Sequence, residues 1–334
     1  MKRHYFSLLL TCLTASAFAG SVFAAPLKTA SFIVRTVDEE GRPVSNAVVE
    51  IGFNQGYGPG MIHEFEKLSA TTDTNGLCTL AGKCDGTLGG NVHKSGYYRS
   101  LLNNISITNS TLSHWLPIDK EYKVILRPIL NPIPMYAKRT NLRIPVSGDS
   151  LGYDLEKGDW LLPYGNGSTA DFLFRVQCVW SGEESPYGEK YYDATVDLTF
   201  SNEDDGIIEF ADSQPASEGS IFRLPRFAPE VGYASHWSLQ QFMNAEGSHY
   251  QTDSQREPLN YFIRVRTKKD ETGKIIAANY GKIRKPLQLV VTPENTWVSM
   301  AYYFNPTPND RNMEFDPKQN LFTDLEPLEK VNDP

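Results

Sequence analysis

Phe32-Ile33-Val34-Arg35-Thr36-Val37 opens the stretch whose reading decides the fold. It alternates as a half-buried strand does. An acidic turn, Asp38-Glu39-Glu40-Gly41, follows, then Arg42-Pro43-Val44-Ser45-Asn46-Ala47 and a second strand, Val48-Val49-Glu50-Ile51. Thr71-Thr72-Asp73-Thr74-Asn75-Gly76 is a turn between two β-like runs, and Lys94-Ser95-Gly96-Tyr97-Tyr98 ends the stretch. Gly41 and Gly76 suit backbone positions with φ > 0, while Asp38 and Asp73 can bond their own turns. Ala47 and Val49 are placed to face one side of a sheet, Val48 and Glu50 the other.

The same grammar continues outward. Short apolar runs separated by Gly, Asn, Asp and Pro include Val124-Ile125-Leu126, Ala194 to Phe200, Tyr261 to Arg266, Leu287 to Val291 and Trp297 to Phe304. This is an all-β signal. Asn202 to Gly206 and Lys269 to Lys274 read as hairpin turns. One helix is expected, Ser235 to Ala245, with Trp237, Leu239, Phe242 and Met243 on a buried face. Between Arg127 and Pro134 three prolines in seven residues form an extended connector. The expected organisation is two β-sandwich-like domains, residues 28–130 and 131–322, followed by a polar, frayed tail at 323–334.

Residues 1–24 read as a signal peptide: Lys2, Arg3 and His4 are followed by a mostly apolar run, and Val22-Phe23-Ala24 supplies a cleavage site. No other stretch is apolar enough to cross a bilayer. The chain is therefore expected to be exported, periplasmic or extracellular. About 310 residues remain after cleavage, and the formal charge of −8 falls to about −10 with the loss of Lys2 and Arg3. That balance argues against nucleic acid as a partner, since binding it requires neutralised phosphates, and less strongly against anionic membranes. Of four cysteines, Cys78, Cys84 and Cys178 survive processing. Cys78 and Cys84 flank a segment that can turn through Gly82, so a disulfide is expected between them. Cys178 lies in a strand-like run and reads as an inert thiol.

The stretch from Phe32 to Tyr98 resembles the carboxypeptidase regulatory-like family, a transthyretin-like β-sandwich. Asp38, Gly41, Pro43, Val44, Ala47, Thr72, Asp73, Gly76, Lys94, Gly96 and Tyr97 match its pattern in order. The resemblance covers roughly residues 28–130. It implies binding or accessory roles, in some members on carbohydrate, and brings no catalytic residues. The sequence departs from the pattern between Phe53 and Ser69, where Gly56 to Met61 forms a Gly-rich excursion presenting Tyr57 as a candidate binding loop. The second region resembles no characterised family.

Motifs for catalysis fail on context. Gly148-Asp149-Ser150-Leu151-Gly152 fits a nucleophile elbow, which needs a following helix, but turn-like residues follow. His63-Glu64 begins a zinc-protease motif, yet the second histidine position holds Lys67. Carboxylates Glu183, Glu184, Glu189, Asp193, Asp204 and Asp205 offer glycosidase pairs only if two face each other across a cleft. Asp204 and Asp205 are also candidates for a structural Ca²⁺; no other cofactor is expected. Aromatics in Gly/Pro-rich loops are the more suggestive groups. Asp159, Trp160, Tyr164 and Asn166, with Tyr57, combine apolar faces and polar groups suited to a sugar. The leading expectation is a non-catalytic binding or accessory protein of the cell envelope or exterior, with a glycan or an envelope protein as partner. The alternatives are a glycan-directed hydrolase using paired carboxylates of the second domain, and a structural or protein-interaction module.

Overall fold

The computed structural model describes residues 27–58, 62–185, 187–211, 218–244, 247–252 and 259–334. The expected signal peptide and residues 59–61 of the Gly-rich excursion lie outside the described residues. The protein is all-β: among the described residues there is no helix.

The first sandwich uses β1 (Lys28–Val37), β2 (Val48–Tyr57), β3 (His63–Thr71), β4 (Leu77–Cys84), β5 (Thr87–His93), β6 (Ser100–Ser106), β7 (Asn109–Ser110), β8 (Trp115–Leu116) and β9 (Lys120–Ile125). The second region contributes β10 (Ile133–Arg143), β11 (Ser150–Asp154), β12 (Asp159–Trp160), β13 (Phe172–Glu184), β14 (Lys190–Thr199), β15 (Gly206–Ala211) and β16 (Glu218–Ser220). It continues with β17 (His236–Asn244), β18 (Gly247–Thr252), β19 (Leu259–Lys269), β20 (Ile275–Ile283), β21 (Gln288–Val291), β22 (Thr296–Asn305) and β23 (Phe315–Asn320).

In the first sandwich a three-stranded sheet, β4-β1-β9, faces a five-stranded one, β16-β6-β5-β2-β3. Strand alternation sends Phe32 and Val34 from one sheet and Val49, Ile51 and Phe53 from the other into a shared core. The turn residues act as their types predict. Asp38 accepts the N–H groups of Glu40 and Arg42, and Asp73 those of Asn75 and Leu77. Gly76 has φ 74°, and a Cβ there would lie 2.4 Å from the Thr36 carbonyl.

The second region packs a seven-stranded sheet, centred on β19-β20-β22-β10, against the six-stranded sheet β12-β11-β13-β14-β17-β18. Their inner faces share a core that includes Tyr153, Phe172, Phe174, Trp237, Ile263 and Tyr302. The far side of the seven-stranded sheet is also covered: Phe262, Ala278 and Tyr303 pack with Leu224, Met313, Phe315 and Val331. Burial on both faces explains why β20 is buried without interruption from Ala278 to Ile283.

Four expectations need correction. The segment expected as a helix, Ser235 to Ala245, holds strand β17 (His236–Asn244); Trp237, Leu239 and Gln241 are buried at every second position, and Ala245 lies outside the described residues. The apolar residues there fit period two as well as period 3.6, and pairing with β14 decides between them. Cys78 and Cys84 are free thiols at the two ends of β4. Six residues of strand separate them by roughly 20 Å, several times the reach of a disulfide. Gly82 does not turn; it pairs with Ala30, and its missing side chain admits the Phe53 ring, whose atoms lie 2.7 Å from an ideal Cβ. Asn202 to Gly206 is not a hairpin but a crossing from β14 in one sheet to β15 in the other. The end of the chain is docked: Glu329 O accepts Arg139 N–H, Asp333 O accepts the Tyr303 hydroxyl, and Asp333 pairs with Arg284.

The two sandwiches are joined by more than the connector. β16 pairs antiparallel with β6 and so completes the first sandwich's sheet from the second region. Glu314, fully buried, accepts the N–H groups of Leu130 and Asn131 and the Tyr98 hydroxyl, and forms an ion pair with Arg226 at 2.7 Å. Glu39 then bridges Arg226 and Arg127. Burial alone would raise the Glu314 carboxyl, but the donors around it outweigh that and hold it below the usual carboxylate range.

Candidate functional site

The sequence-predicted site residues do not converge. Trp160 is 7 % exposed, with its ring edge-on to Tyr153 and Phe174 and its Nε1–H donating to Arg143 O at 3.2 Å. It is a core residue with no open face for a sugar. Asp159 is the hub of its own turn, accepting Trp160 N–H and Asn166 N–H at 2.8 Å each. Tyr164 and Asn166 are exposed on that turn, and Tyr57 belongs to the first sandwich. A Gly-Asp-Trp run read as a loop conceals the short strand β12, which pairs Trp160 with Tyr153.

The carboxylates expected to act in pairs are also engaged. Asp205 is buried and accepts the N–H groups of Arg266 and Thr267, and Asp204 forms an ion pair with Lys269. The two therefore face donors, and among the described residues no cluster of three or more metal-ligating side chains forms. Asp193 accepts Gln240, and Glu183, Glu184 and Glu189 are exposed at the β13–β14 hairpin. Among the described residues a further carboxylate cluster forms that the sequence did not single out. Arg266, in a left-handed conformation at φ 58° on a bulge of β19, reaches Asp171, Glu156 and Asp154. Burial raises the Asp171 carboxyl despite Arg266, while Asp154 stays low because N–H groups of its own turn outweigh its burial. This is a filled ion cluster with no space for substrate between its members. Ser150 begins strand β11 and is followed by strand and turn, not by the helix a nucleophile elbow requires.

Open space with convergent polar groups lies elsewhere, on the outer face of the five-stranded sheet. Alternation puts Glu50, Gly52 and Asn54 of β2 on that face, beside Ser69, Lys67 and Phe65 of β3 as direct cross-strand partners. β5 adds Asn91 opposite Glu50 and Gly89 opposite Gly52. Gly52 and Gly89 therefore form a bare floor in the middle of the sheet. Phe65, 53 % exposed, leans over it, with Cδ1 3.4 Å from where a Gly52 Cβ would stand. Two hollows flank this ring. One, about 440 Å³, is lined by Glu50, Gly52, Phe65, Lys67, Ser69 and Asn91 among others. The second, about 410 Å³, is lined by Asn54, His63, Phe65, Thr87, Gly89 and Asn103 with Leu88. Both include Phe65 and Gly89.

The polar groups are tied to one another. Asn91 Nδ2 donates to Glu50 at 3.5 Å, and His93 Nδ1 lies 4.0 Å from the same carboxylate. Asn54 Oδ1 lies 3.2 Å from His63 Nδ1 and also accepts Gly56 N–H. Tyr57, 64 % exposed, sets its ring 4.1 Å from that of His63, so the one predicted aromatic of the first sandwich stands at the end of this trough. The sequence signal for the remainder was present: two glycines inside strands, which mark close approach of a ligand or backbone, and a Phe on the polar face of an edge strand.

No protein-family model matches the chain, and no curated protein does. Among solved structures, the 3-chlorocatechol 1,2-dioxygenase of Rhodococcus opacus 1CP is similar over 30 % of this chain at 16 % identity, with a TM-score of 0.25. The chain spans 60 % of that dioxygenase chain. BcpA, the major pilin subunit of Bacillus cereus, is similar over 84 % of this chain and 96 % of its own, at 12 % identity and a TM-score of 0.19. Likenesses at these scores carry no argument about activity. Among the described residues no helix is long and apolar enough to cross a membrane.

Proposed function

We propose that this is an exported, non-catalytic binding or accessory protein of the cell envelope or exterior, and that its first sandwich recognises carbohydrate on the outer face of the five-stranded sheet. The observation that carries the reading is the Gly52–Gly89 floor beside the exposed Phe65 ring, rimmed by Glu50, Asn91, Asn54 and Lys67. A sugar presents an apolar C–H face and a ring of hydroxyls, and this trough offers an aromatic face with amide, carboxylate and ammonium partners. Export rests on residues 1–24 of the sequence. Assignment of the sandwich to the carboxypeptidase regulatory-like family is supported by the work its matching residues do. Gly41, Gly76 and Gly96 all have positive φ, Ala47 is fully buried, and Lys94 donates to Ser45 O at 2.7 Å.

The test is a glycan-panel screen of residues 25–334 beside a Phe65→Ala variant. Binding by the parent chain that Phe65→Ala abolishes, with the unfolding midpoint unchanged, supports the reading. Binding that survives Phe65→Ala moves the site off this face, and silence across the panel rejects carbohydrate as the ligand.

A further inference from the structure

Resting on the carbohydrate reading, we infer that the trough holds an extended sugar chain lying along β2 and β3, with Phe65 as a platform shared by two neighbouring subsites. The two hollows share only Phe65 and Gly89, so they lie end to end along the strands with the ring between them. From Ser69 at one end to His63 at the other is six residues of β3, roughly 20 Å at ~3.3 Å per residue. A single sugar ring would occupy one hollow and leave the other to water.

The subsites differ in chemistry. The hollow beyond Lys67 is charged: Glu50 and Lys67 stand diagonally across β2 and β3, with Ser69 and Asn91 directly opposite Glu50. The hollow on the other side of Phe65 holds no carboxylate or ammonium group and is lined by the His63 ring and the amides of Asn54 and Asn103 with the Thr87 hydroxyl. A chain therefore binds in one direction, with its more polar residue over Glu50 and Lys67. The backbone floor sets the other constraint. Gly52 and Gly89 allow a ring to lie flat on the sheet, whereas a Cβ at Gly52 would touch the Phe65 ring at 3.4 Å and take up the space above the floor. A ligand with a branch pointing down into the floor is therefore excluded.

The experiment uses residues 25–334 with graded series of linear glucose, galactose, mannose and N-acetylglucosamine oligomers, from monosaccharide to hexasaccharide, by calorimetry. The expected result is a gain of about tenfold in affinity between monosaccharide and trisaccharide in one series, because the second ring adds its own contact with Phe65. Lys67→Ala and Asn103→Ala, one in each hollow, should each remove most of that gain. Gly52→Val should abolish binding while Gly52→Ala weakens it. Equal affinity for monosaccharide and oligomers, still lost in Phe65→Ala, would overturn the two-subsite inference and leave the carbohydrate reading standing. No binding by any series would overturn both. Capture of a peptide in an extended conformation on β3 in place of any sugar would likewise overturn both.

Discussion

Replacing Glu314 tests the claim that the two sandwiches are locked by one buried carboxylate. Glu314 has no exposed side-chain surface; it accepts three hydrogen bonds, from two backbone N–H groups and the Tyr98 hydroxyl, and forms an ion pair with Arg226. In Glu314→Ala each neutral donor left without an acceptor costs ~1–3 kcal/mol, less where water enters the space. Breaking an isolated buried ion pair costs ~3–5 kcal/mol, but Arg226 keeps Glu39 at 3.2 Å and Pro128 O at 2.9 Å, so its share falls below that range. These losses share one space and do not add; about 4 kcal/mol is expected for Ala. Glu314→Gln keeps one acceptor oxygen and should cost about 2 kcal/mol, and Tyr98→Phe, which removes one bond, about 1 kcal/mol. Urea unfolding followed by tryptophan fluorescence measures all three. The carboxyl is held below its ordinary value in the folded chain. Its contribution is therefore complete above the unfolded pKa of ~4.3 and is lost as pH falls through the folded value. Acid sensitivity should be blunted in Glu314→Gln. An Ala variant within about 1 kcal/mol of the parent would refute the lock.

Four further outcomes are expected. Trp160→Ala should lose ~3–5 kcal/mol as a core truncation yet leave any glycan affinity of the folded protein unchanged; calorimetry of the folded variant checks this. Gly76→Ala places a Cβ 2.4 Å from Thr36 O at φ 74° and should destabilise by more than ~1 kcal/mol, measured as a fall in thermal midpoint. Thiol titration of unreduced residues 25–334 in denaturant should find Cys78, Cys84 and Cys178 all free, since β4 keeps the first two apart. Lys282 is fully buried over Phe222 and Tyr303 with its amine on Met313 O. Burial, then Arg284 and Arg127, push it well below the ordinary lysine value despite Glu314. The unfolded chain thus binds more protons, so stability should rise as pH climbs from the depressed folded value toward ~10, and Lys282→Met should remove that rise.

Local chemistry was legible wherever a residue's role depends on its own backbone. Asp38, Gly41, Asp73 and Gly76 declare their turns because the side-chain bonds and the φ values involve residues at most four apart. The period-two runs gave the all-β class, since alternation is a property of one strand. Where a reading required knowing what lies opposite, it failed. Trp160 and Tyr57 are both aromatics in Gly-rich surroundings, and only the pairing of β12 with β11 turns one inward while the other stays exposed. Cys78 and Cys84 look close in sequence, but Gly82 between them continues the strand because Phe53, from another sheet, needs its space. The trough joins Gly52 to Gly89 and Phe65 through sheet register, and Glu314 meets Tyr98 across 216 positions of chain. Apart from β17 and the Asn202–Gly206 crossing, the strands named in the sequence and the Asp–Gly turns followed from steric and hydrogen-bonding preferences within a few residues. Which glycines align into a floor, and which aromatics stay exposed above it, was set by strand register and sheet packing, because these are fixed by burial of side chains far apart in the chain.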